Sequence, residues 1–158
     1  NYPNRVMRMA LTGTAVGQRE LSEDQKAQII AAREKQIEKG GYNFGTGRVR
    51  SLIGPKASVD AVPLVQDILR GTNPRGFMQA VKSGLAGYYS VGFADRLTIP
   101  VLLIQGTEDK VTPMDKNAAL LIKALPHGRL EVLEGYGHLP EIEAPDRVNA
   151  LLKKFFAD

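Results

Sequence analysis

The chain has 158 residues, of which 43% are hydrophobic and 24% are charged, and its formal net charge at pH 7 is +4. These values are ordinary for one soluble globular domain. The cations are spread along the chain without interleaved aromatic residues, so we expect no nucleic-acid partner. No run of about 18 apolar residues occurs, so no membrane span is predicted. The absence of cysteine excludes disulfides and thiol catalysis. It does not define a compartment, although a cytoplasmic location is favoured.

The first part of the chain, residues 1–16, predicts one core strand at residues 6–12 followed by its exit loop. Residues 17–93 are predicted to be largely helical. Ser22 and Gln25 have the spacing of a capping box, in which each side chain bonds to the backbone N–H of the other residue. A helix is therefore expected to begin there.

A further helix is predicted after Asn73, which suits an N-cap position, with Pro74 at the first helical position. The helical pattern runs to about Tyr88. A glycine-rich loop at residues 40–47 separates the two helices. It has no strand directly before it and no Lys-Ser/Thr ending, so we interpret it as a connection and not as a phosphate cradle.

The last part, residues 94–158, returns to alternating strands and helices. Strands are predicted at residues 100–105 and 129–133, with a helix at residues 116–125 between them. The first of these strands is almost continuously apolar, as expected for a covered parallel strand. The second is more mixed, which is typical of a strand nearer the sheet edge. The pattern therefore predicts an α/β fold built on a parallel sheet.

A distinctive loop follows each of these two strands. Gly-Thr-Glu-Asp at residues 106–109 follows the first, and Gly-Tyr-Gly-His-Leu-Pro at residues 135–140 follows the second. Ligands bind outside the carboxyl ends of the strands of an open parallel sheet, so Asp109 and His138 are expected to meet at one rim. A carboxylate bonded to one imidazole nitrogen fixes the tautomer in which the other nitrogen accepts a proton. The two residues are therefore predicted as the acid and the base of a catalytic triad.

Three other titratable residues fit these roles less well. Glu108 and Asp115 are the fallback carboxylates for the orienting role. His127 lies in a Pro-His-Gly turn at the opposite rim and is interpreted as a surface residue. Because two histidines on opposite rims cannot converge on one ion, no metal site is expected, and no cofactor is expected either.

These motifs resemble the C-terminal part of the α/β-hydrolase fold superfamily. Residues 93–100 are similar to the family's approach to its seventh strand, and residues 106–109 are similar to its acid turn. Residues 137–146 resemble its His loop, which leads into the last helix. Residues 1–12 are similar to the stretch that ends in the family's sixth strand.

The resemblance implies a division into a core strand at residues 1–16, a helical cap or lid at residues 17–93, and a C-terminal core at residues 94–158. A cap inserted between the sixth and seventh strands covers the carboxyl rim and sets substrate choice by shaping an apolar pocket. For each large cap side chain, ordinary packing of the cap on the core is the alternative role. The largest are Tyr42 and Phe44 and, as tentative pocket residues, Phe77, Met78, Tyr88 and Tyr89.

The family's order of nucleophile, acid and His places the nucleophile before Asp109. No Gly-x-Ser-x-Gly motif occurs, and Ser83 is a poor candidate because it lies within a predicted helix. The resemblance therefore implies that the serine and the oxyanion donors belong to a missing N-terminal half with the family's first five strands. This half is the expected partner, because without it the strand at residues 6–12 would keep an unpaired apolar edge.

The resemblance implies a cofactor-free serine hydrolase that acts on an ester, a lactone or a similar small acyl substrate. In this reaction Asp109 orients His138, and the 158-residue chain alone is expected to be inactive. Epoxide, haloalkane or C–C bond hydrolysis on the same scaffold stays open. So do a non-catalytic ligand-binding or receptor module and a structural subunit of a heteromeric assembly.

Overall fold

The structure, a computed structural model, describes residues 5–17, 21–40 and 45–157. This part of the chain contains three strands and seven α-helices. Within it, no helix combines the length and the apolar character that crossing a membrane requires. The helices are α1 (Glu23–Gly40), α2 (Val49–Leu52), α3 (Ala61–Arg70), α4 (Pro74–Gly84), α5 (Ala118–Ala124), α6 (Pro140–Glu143) and α7 (Pro145–Ala157).

The three strands form one parallel sheet. They are β1 (Met9–Thr12), β2 (Val101–Gly106) and β3 (Gly128–Leu133), and β2 lies between the other two. Every residue of β2 is buried, whereas β3 has both buried and exposed positions. A parallel strand in the middle of a sheet is covered on both faces, which explains the continuous apolar run of β2. The predicted parallel α/β arrangement is confirmed, including the more mixed character of the last strand.

β1 begins at Met9, whereas the sequence predicts a strand from residue 6. The N–H of Met9 donates to the carbonyl of Pro100 at 3.1 Å, and Met9 is paired in register with Val101. Pro100 has no N–H of its own to extend the ladder toward earlier residues. Val6 and Met7 accordingly lie outside the sheet and are 43% and 85% exposed.

The sheet packs against helices on both faces, because alternate residues of β2 point in opposite directions. Val101 and Leu103 face a cluster that includes residues of α5 and of the 3-10 turn at Ser90–Arg96. Leu102 and Ile104 face a second cluster, which includes residues of α7. All four side chains are at most 1% exposed. Packing on both faces holds β2 in place. The loop that carries Asp109 begins at the end of this strand.

Both predicted helix starts are confirmed. The backbone N–H of Gln25 donates to Ser22 Oγ at 3.2 Å, and the N–H of Ser22 donates to Gln25 Oε1 at 2.9 Å, which completes the capping box before α1. The N–H of Gly76 donates to Asn73 Oδ1 at 3.0 Å, and Pro74 is the first residue of α4.

Two helix boundaries differ from the predicted ones. α4 ends at Gly84 and not near Tyr88, because Gly87 has a φ of 90° that ends helical geometry. The helix predicted at residues 116–125 begins later, as α5, because Asn117 has non-helical dihedral angles after a short 3-10 turn. The division of the chain into core and cap at residues 16 and 93 stays a prediction.

Candidate active site

The two loops expected to carry the site lie against each other at the carboxyl ends of β2 and β3. A Cβ atom added to Gly106 would lie 2.2 Å from the carbonyl oxygen of Tyr136, so only glycine allows this close approach. Gly135 has a φ of 84°, which side-chain-bearing residues rarely adopt. Across these loops Nδ1 of His138 lies 3.0 Å from Oδ2 of Asp109. The structure thus brings the two predicted residues into hydrogen-bond contact.

The Asp109 side chain is completely buried and surrounded by donors. The backbone N–H groups of Val111 and Thr112 each donate to Oδ1 at 2.8 Å. Oδ2 accepts from Thr112 Oγ1 at 2.6 Å and from Gln105 Nε2 at 2.7 Å. Burial by itself would raise the pKa of Asp109, but the hydrogen bonds from His138 and Thr112 outweigh it and hold the pKa well below its usual range. The carboxylate is therefore ionised at neutral pH and fixed in orientation.

Gln105 and Thr112 are site residues that the sequence reasoning missed. Gln105 is 1% exposed and also donates to the Thr112 carbonyl at 3.2 Å, while Thr112 Oγ1 lies 3.3 Å from His138 Nδ1. A polar residue inside the otherwise apolar β2 is the signal that could have found Gln105, because a buried amide needs hydrogen-bond partners.

The His138 ring is held from the side of β1. Gly13, directly after β1, has a φ of 50°, and a Cβ atom there would lie 2.9 Å from His138 Nδ1 and 2.6 Å from the His138 carbonyl oxygen. The His138 side chain is 21% exposed. Nδ1 is engaged by Asp109, and no described residue hydrogen bonds to Nε2. Nε2 is thus free to accept a proton from a reacting group.

Glu143, at the end of α6, positions the backbone on both sides of His138. It is 2% exposed. Its carboxylate accepts from the N–H of Gly137 at 2.9 Å, from that of Leu139 at 3.1 Å and from that of Gly54 at 2.7 Å. Glu143 lies within the stretch that resembles the family's His loop, but its partners are backbone groups, which the sequence does not reveal.

Residues 52–56, which run from the end of α2, are joined to the His loop by further backbone contacts. The N–H of His138 donates to the carbonyl of Leu52 at 2.7 Å, and the N–H of Lys56 donates to the carbonyl of Gly135 at 3.0 Å. A Cβ atom on Gly54 would lie 2.5 Å from the same carbonyl oxygen of Gly135. A segment predicted to belong to the cap therefore helps to hold His138.

The remaining candidate residues lie apart from this pair. Glu108 and Asp115 are exposed, and neither hydrogen bonds to the His138 ring. His127 is exposed at the opposite edge of the sheet, where its carbonyl accepts from the N–H of Val101 at 3.0 Å. Among the residues that the structure describes, no group of three or more His, Asp or Glu side chains is placed to hold a metal ion.

A cavity of about 440 Å³ opens between α1, α4 and the loop that follows Asp109. Tyr88 and Leu85, which follow α4, line it together with Ile29 from α1. Thr112, in the loop after Asp109, lines it as well. Because Thr112 also contacts both Asp109 and His138, a single residue separates the cavity from the pair.

The other tentative pocket residues occupy different places. Phe77 lies under the guanidinium of Arg48, whose Cζ is 4.8 Å from the ring centroid. Met78 lines a shallow groove with residues of α1, and Tyr89 packs against the apolar cluster below β1 and β2. None of these three lines the 440 Å³ cavity. Tyr42 and Phe44 lie outside the described residues.

Comparisons with known proteins place this geometry in a family. The model of the alpha/beta hydrolase fold matches residues 1–145. A protein of Synechocystis sp. (strain ATCC 27184 / PCC 6803 / Kazusa), provisionally named a non-heme chloroperoxidase, is 29% identical over 104 residues, which are 66% of this chain and 37% of that protein. Epoxide hydrolase EphH of Mycobacterium tuberculosis is 32% identical over 65 residues, which are 40% of this chain and 30% of that protein.

A solved structure of a thermophilic esterase from Thermogutta terrifontis, determined with malate bound, matches with a TM-score of 0.81 at 20% identity. The match covers 99% of this chain and 57% of the esterase chain, and at this identity it shows the fold alone. The chain thus spans less than two thirds of the length of each of these three proteins. By its parallel sheet, by the matched structure and by the family model that covers most of its length, the chain belongs to the alpha/beta hydrolase fold family.

Proposed function

We propose that His138 and Asp109 supply the base and the orienting acid of a serine-hydrolase triad that acts on an ester, a lactone or a similar small acyl substrate. The observation that carries the proposal is the 3.0 Å contact between His138 Nδ1 and Asp109 Oδ2, with Nε2 left free of described partners. The cavity beside this pair supports it, since an acyl group needs an apolar space next to the reacting atoms. Residues 17–93 act in this proposal as a cap that shapes the cavity.

The proposed nucleophile is a serine on polypeptide that precedes these residues. Its oxygen attacks the acyl carbon while Nε2 of His138 takes the hydroxyl proton. The bond to the leaving oxygen then breaks, and His138 returns the proton to that oxygen. A water molecule next attacks the acyl-enzyme, His138 takes its proton, and the serine oxygen leaves with that proton. Asp109 stays ionised and stabilises the imidazolium in both halves of the reaction.

The proposed partner is the N-terminal half of the same hydrolase, which would carry the family's first five strands and the oxyanion donors. Among the described residues, β1 pairs with β2 alone, so its other edge has free backbone groups. An unpaired parallel edge of this kind favours pairing with a neighbouring strand. The 57% coverage of the esterase chain agrees with a contribution of this size to a complete hydrolase.

Epoxide hydrolysis is a second candidate, because the relative that is 32% identical over 65 residues is named an epoxide hydrolase. That reaction uses an Asp nucleophile on the same scaffold, and His138 would then activate the water that releases the product. The two reactions separate experimentally, because only a carboxylate nucleophile transfers an oxygen from labelled water into the enzyme.

The test uses the full-length polypeptide that contains these residues, with activated esters and epoxides as substrates. We expect ester turnover that falls to near background in His138→Ala and is unchanged in His127→Ala, the matched control at the exposed histidine. A serine-directed fluorophosphonate should label the wild-type protein rapidly and the His138→Ala variant slowly. A folded His138→Ala protein with near-normal turnover would refute the role of His138, and turnover of epoxides alone would favour the second candidate. A folded full-length protein that turns over neither substrate class would overturn both candidates and leave haloalkane or C–C bond hydrolysis and a non-catalytic binding module.

A further inference from the structure

A second concave site lies beside the acyl cavity and is strongly cationic. It has a volume of about 360 Å³, and Arg33 of α1, Arg48 and Lys110 are among its lining residues. It shares Arg33 and Val111 with the larger cavity, so the two spaces adjoin at the loop that follows Asp109. We call the three cations Arg33, Arg48 and Lys110 the basic site.

These cations have no acidic partner in the part of the chain that the structure describes. Arg70 forms a hydrogen bond with an acidic residue three positions away on its helix, Asp67. Arg33 instead has a neutral residue three positions away, Gln36, whose Oε1 accepts a hydrogen bond from Arg33 at 3.0 Å. Because Gln36 is neutral, the positive charge of Arg33 is not offset by its neighbour on the helix.

Arg48 is partly buried, and its guanidinium stacks over Phe77. Burial and the nearby charge of Arg33 both lower the pKa of Arg48. Placing two guanidinium groups around one space costs free energy, and burying an arginine without a carboxylate adds to this cost. An anion bound between Arg33 and Arg48 would offset both costs, because each guanidinium group would then have an opposite charge beside it.

The basic site is also correctly placed to select a substrate. Lys110 is the residue after Asp109, and the N–H of Val111 donates to Asp109 Oδ1 at 2.8 Å. The loop that orients the catalytic carboxylate therefore forms a wall of both spaces. A substrate whose acyl part fills the larger cavity can place a distal group in the basic site.

We propose that the basic site binds a carboxylate on the substrate, remote from the scissile carbonyl, so that the hydrolase prefers monoesters of dicarboxylic acids to neutral esters. This inference rests on the proposed function. Guanidinium groups match a carboxylate through paired N–H donors, and the stacked Arg48 is held ready for such a bond.

The experiment compares two substrates that differ only in the distal charge: the para-nitrophenyl monoester of glutaric acid and its methyl-capped diester. In the full-length protein we expect a higher kcat/KM for the charged monoester. Arg48→Gln and Lys110→Gln, which alter cations that do not line the larger cavity, should each lower kcat/KM for it by about tenfold, while the value for the capped diester changes by less than about twofold. Lys123→Gln, an exposed cation on α5, is the matched control and should leave both values unchanged.

A second measurement separates this proposal from the proposed function. Binding of free glutarate to the inactive His138→Ala protein is measured by calorimetry, with and without the Arg33→Gln change and at two salt concentrations. We expect binding that weakens with salt and is lost with Arg33→Gln. If Arg48→Gln does not fold, Lys110→Gln alone decides the comparison of the two substrates.

The outcomes are distinct. Glutarate binding that requires the basic site, in a protein that hydrolyses no ester, would remove the proposed function and leave the carboxylate site standing. Ester hydrolysis with equal effects of Arg48→Gln or Lys110→Gln on both substrates, and without glutarate binding, would overturn the carboxylate site and leave the hydrolase.

Discussion

The carboxylate of Glu143 accepts a 2.7 Å hydrogen bond from the backbone N–H of Gly54, although the two residues are 89 positions apart in sequence. The same carboxylate binds the N–H groups on either side of His138. One buried side chain therefore couples the segment at residues 52–56 to the loop that carries His138.

Replacing Glu143 with Gln should lower turnover through the position of His138. The amide nitrogen of Gln would face backbone N–H groups, so at least one buried donor would lose its acceptor, at a cost of about 1–3 kcal/mol in unfolding free energy. We expect kcat to fall with little change in KM, because the base moves while the cavity stays. Steady-state kinetics and urea unfolding of the full-length protein measure both effects.

Glu141→Gln is the control for this change, because Glu141 is an exposed residue on the same short helix α6. It should behave like wild type. A Glu143→Gln protein with wild-type kcat would contradict the positioning role.

Asp109→Asn should reduce kcat by a factor on the order of 10⁴, the size known for the equivalent change in a serine protease triad. The Asn side chain keeps the shape but favours the wrong imidazole tautomer. Because Asp109 and His138 act as a unit, the double change Asp109→Asn with His138→Ala should cost little more than His138→Ala alone. The neighbouring exposed Glu108 provides the control change Glu108→Gln. Additive losses in the double variant would show that the two residues act separately.

Asp109 should also make the full-length protein lose stability in acid. Its pKa in the folded protein lies below the unfolded value of about 3.9, so the unfolded state binds more protons between these two values and stability rises with pH there. The contribution is complete above about pH 5 and is lost as the pH falls toward the folded pKa. Asp109→Asn should flatten this acid limb in urea unfolding, whereas Glu108→Gln should not. Parallel acid limbs for wild type and Asp109→Asn would disprove the assignment.

Gly13→Ala should disturb His138 from the other side. The new methyl group would lie 2.6 Å from the His138 carbonyl oxygen and 2.9 Å from Nδ1, and the φ of 50° at this position adds strain. We expect a loss of kcat larger than any loss of substrate binding. Gly92→Ala is the control, because nothing lies within 4 Å of its added Cβ. Unchanged kcat in a folded Gly13→Ala protein would show that the ring has room to move.

Tyr88→Ala should change selectivity among acyl chain lengths more than it changes stability. Tyr88 lines the cavity and is 47% exposed, so its removal enlarges the space without opening the core. The discrimination between neighbouring chain lengths should shift by about 1–3 kcal/mol in kcat/KM terms. Phe93→Ala serves as control, because Phe93 is equally exposed but does not line this cavity. Equal effects on all chain lengths would assign Tyr88 to packing.

The parts of the structure that could be predicted from sequence depend on local patterns. The apolar run of β2 indicates a covered strand, and the loops after β2 and β3 place Asp109 and His138 at one rim by topology alone. The caps at Ser22 and Asn73 are equally local, because donor and acceptor are three residues apart.

What could not be predicted depends on contacts between distant residues. The role of Glu143 arises from backbone groups up to 89 positions away, and no residue type marks such acceptors in the sequence. The end of α4 depends on the backbone conformation of Gly87, which a helical pattern continuing to Tyr88 does not reveal. The basic site likewise combines residues from α1, from the turn before α2 and from the acid loop, which are far apart in sequence.

The attachment of residues 52–56 to the His loop limits how this chain can be recombined with its relatives. A chimera that exchanged all of residues 17–93 would replace Leu52, Gly54 and Lys56, whose backbone groups bond to the His loop and to Glu143. A donor without glycine at position 54 would disrupt these bonds, because an added Cβ would lie 2.5 Å from the carbonyl oxygen of Gly135. An exchange restricted to residues 57–88 would keep these bonds and transfer the whole part of the cavity wall that α4 contributes. New substrate ranges should therefore be reached by grafting the shorter piece, with Asp109 and His138 left in their native surroundings.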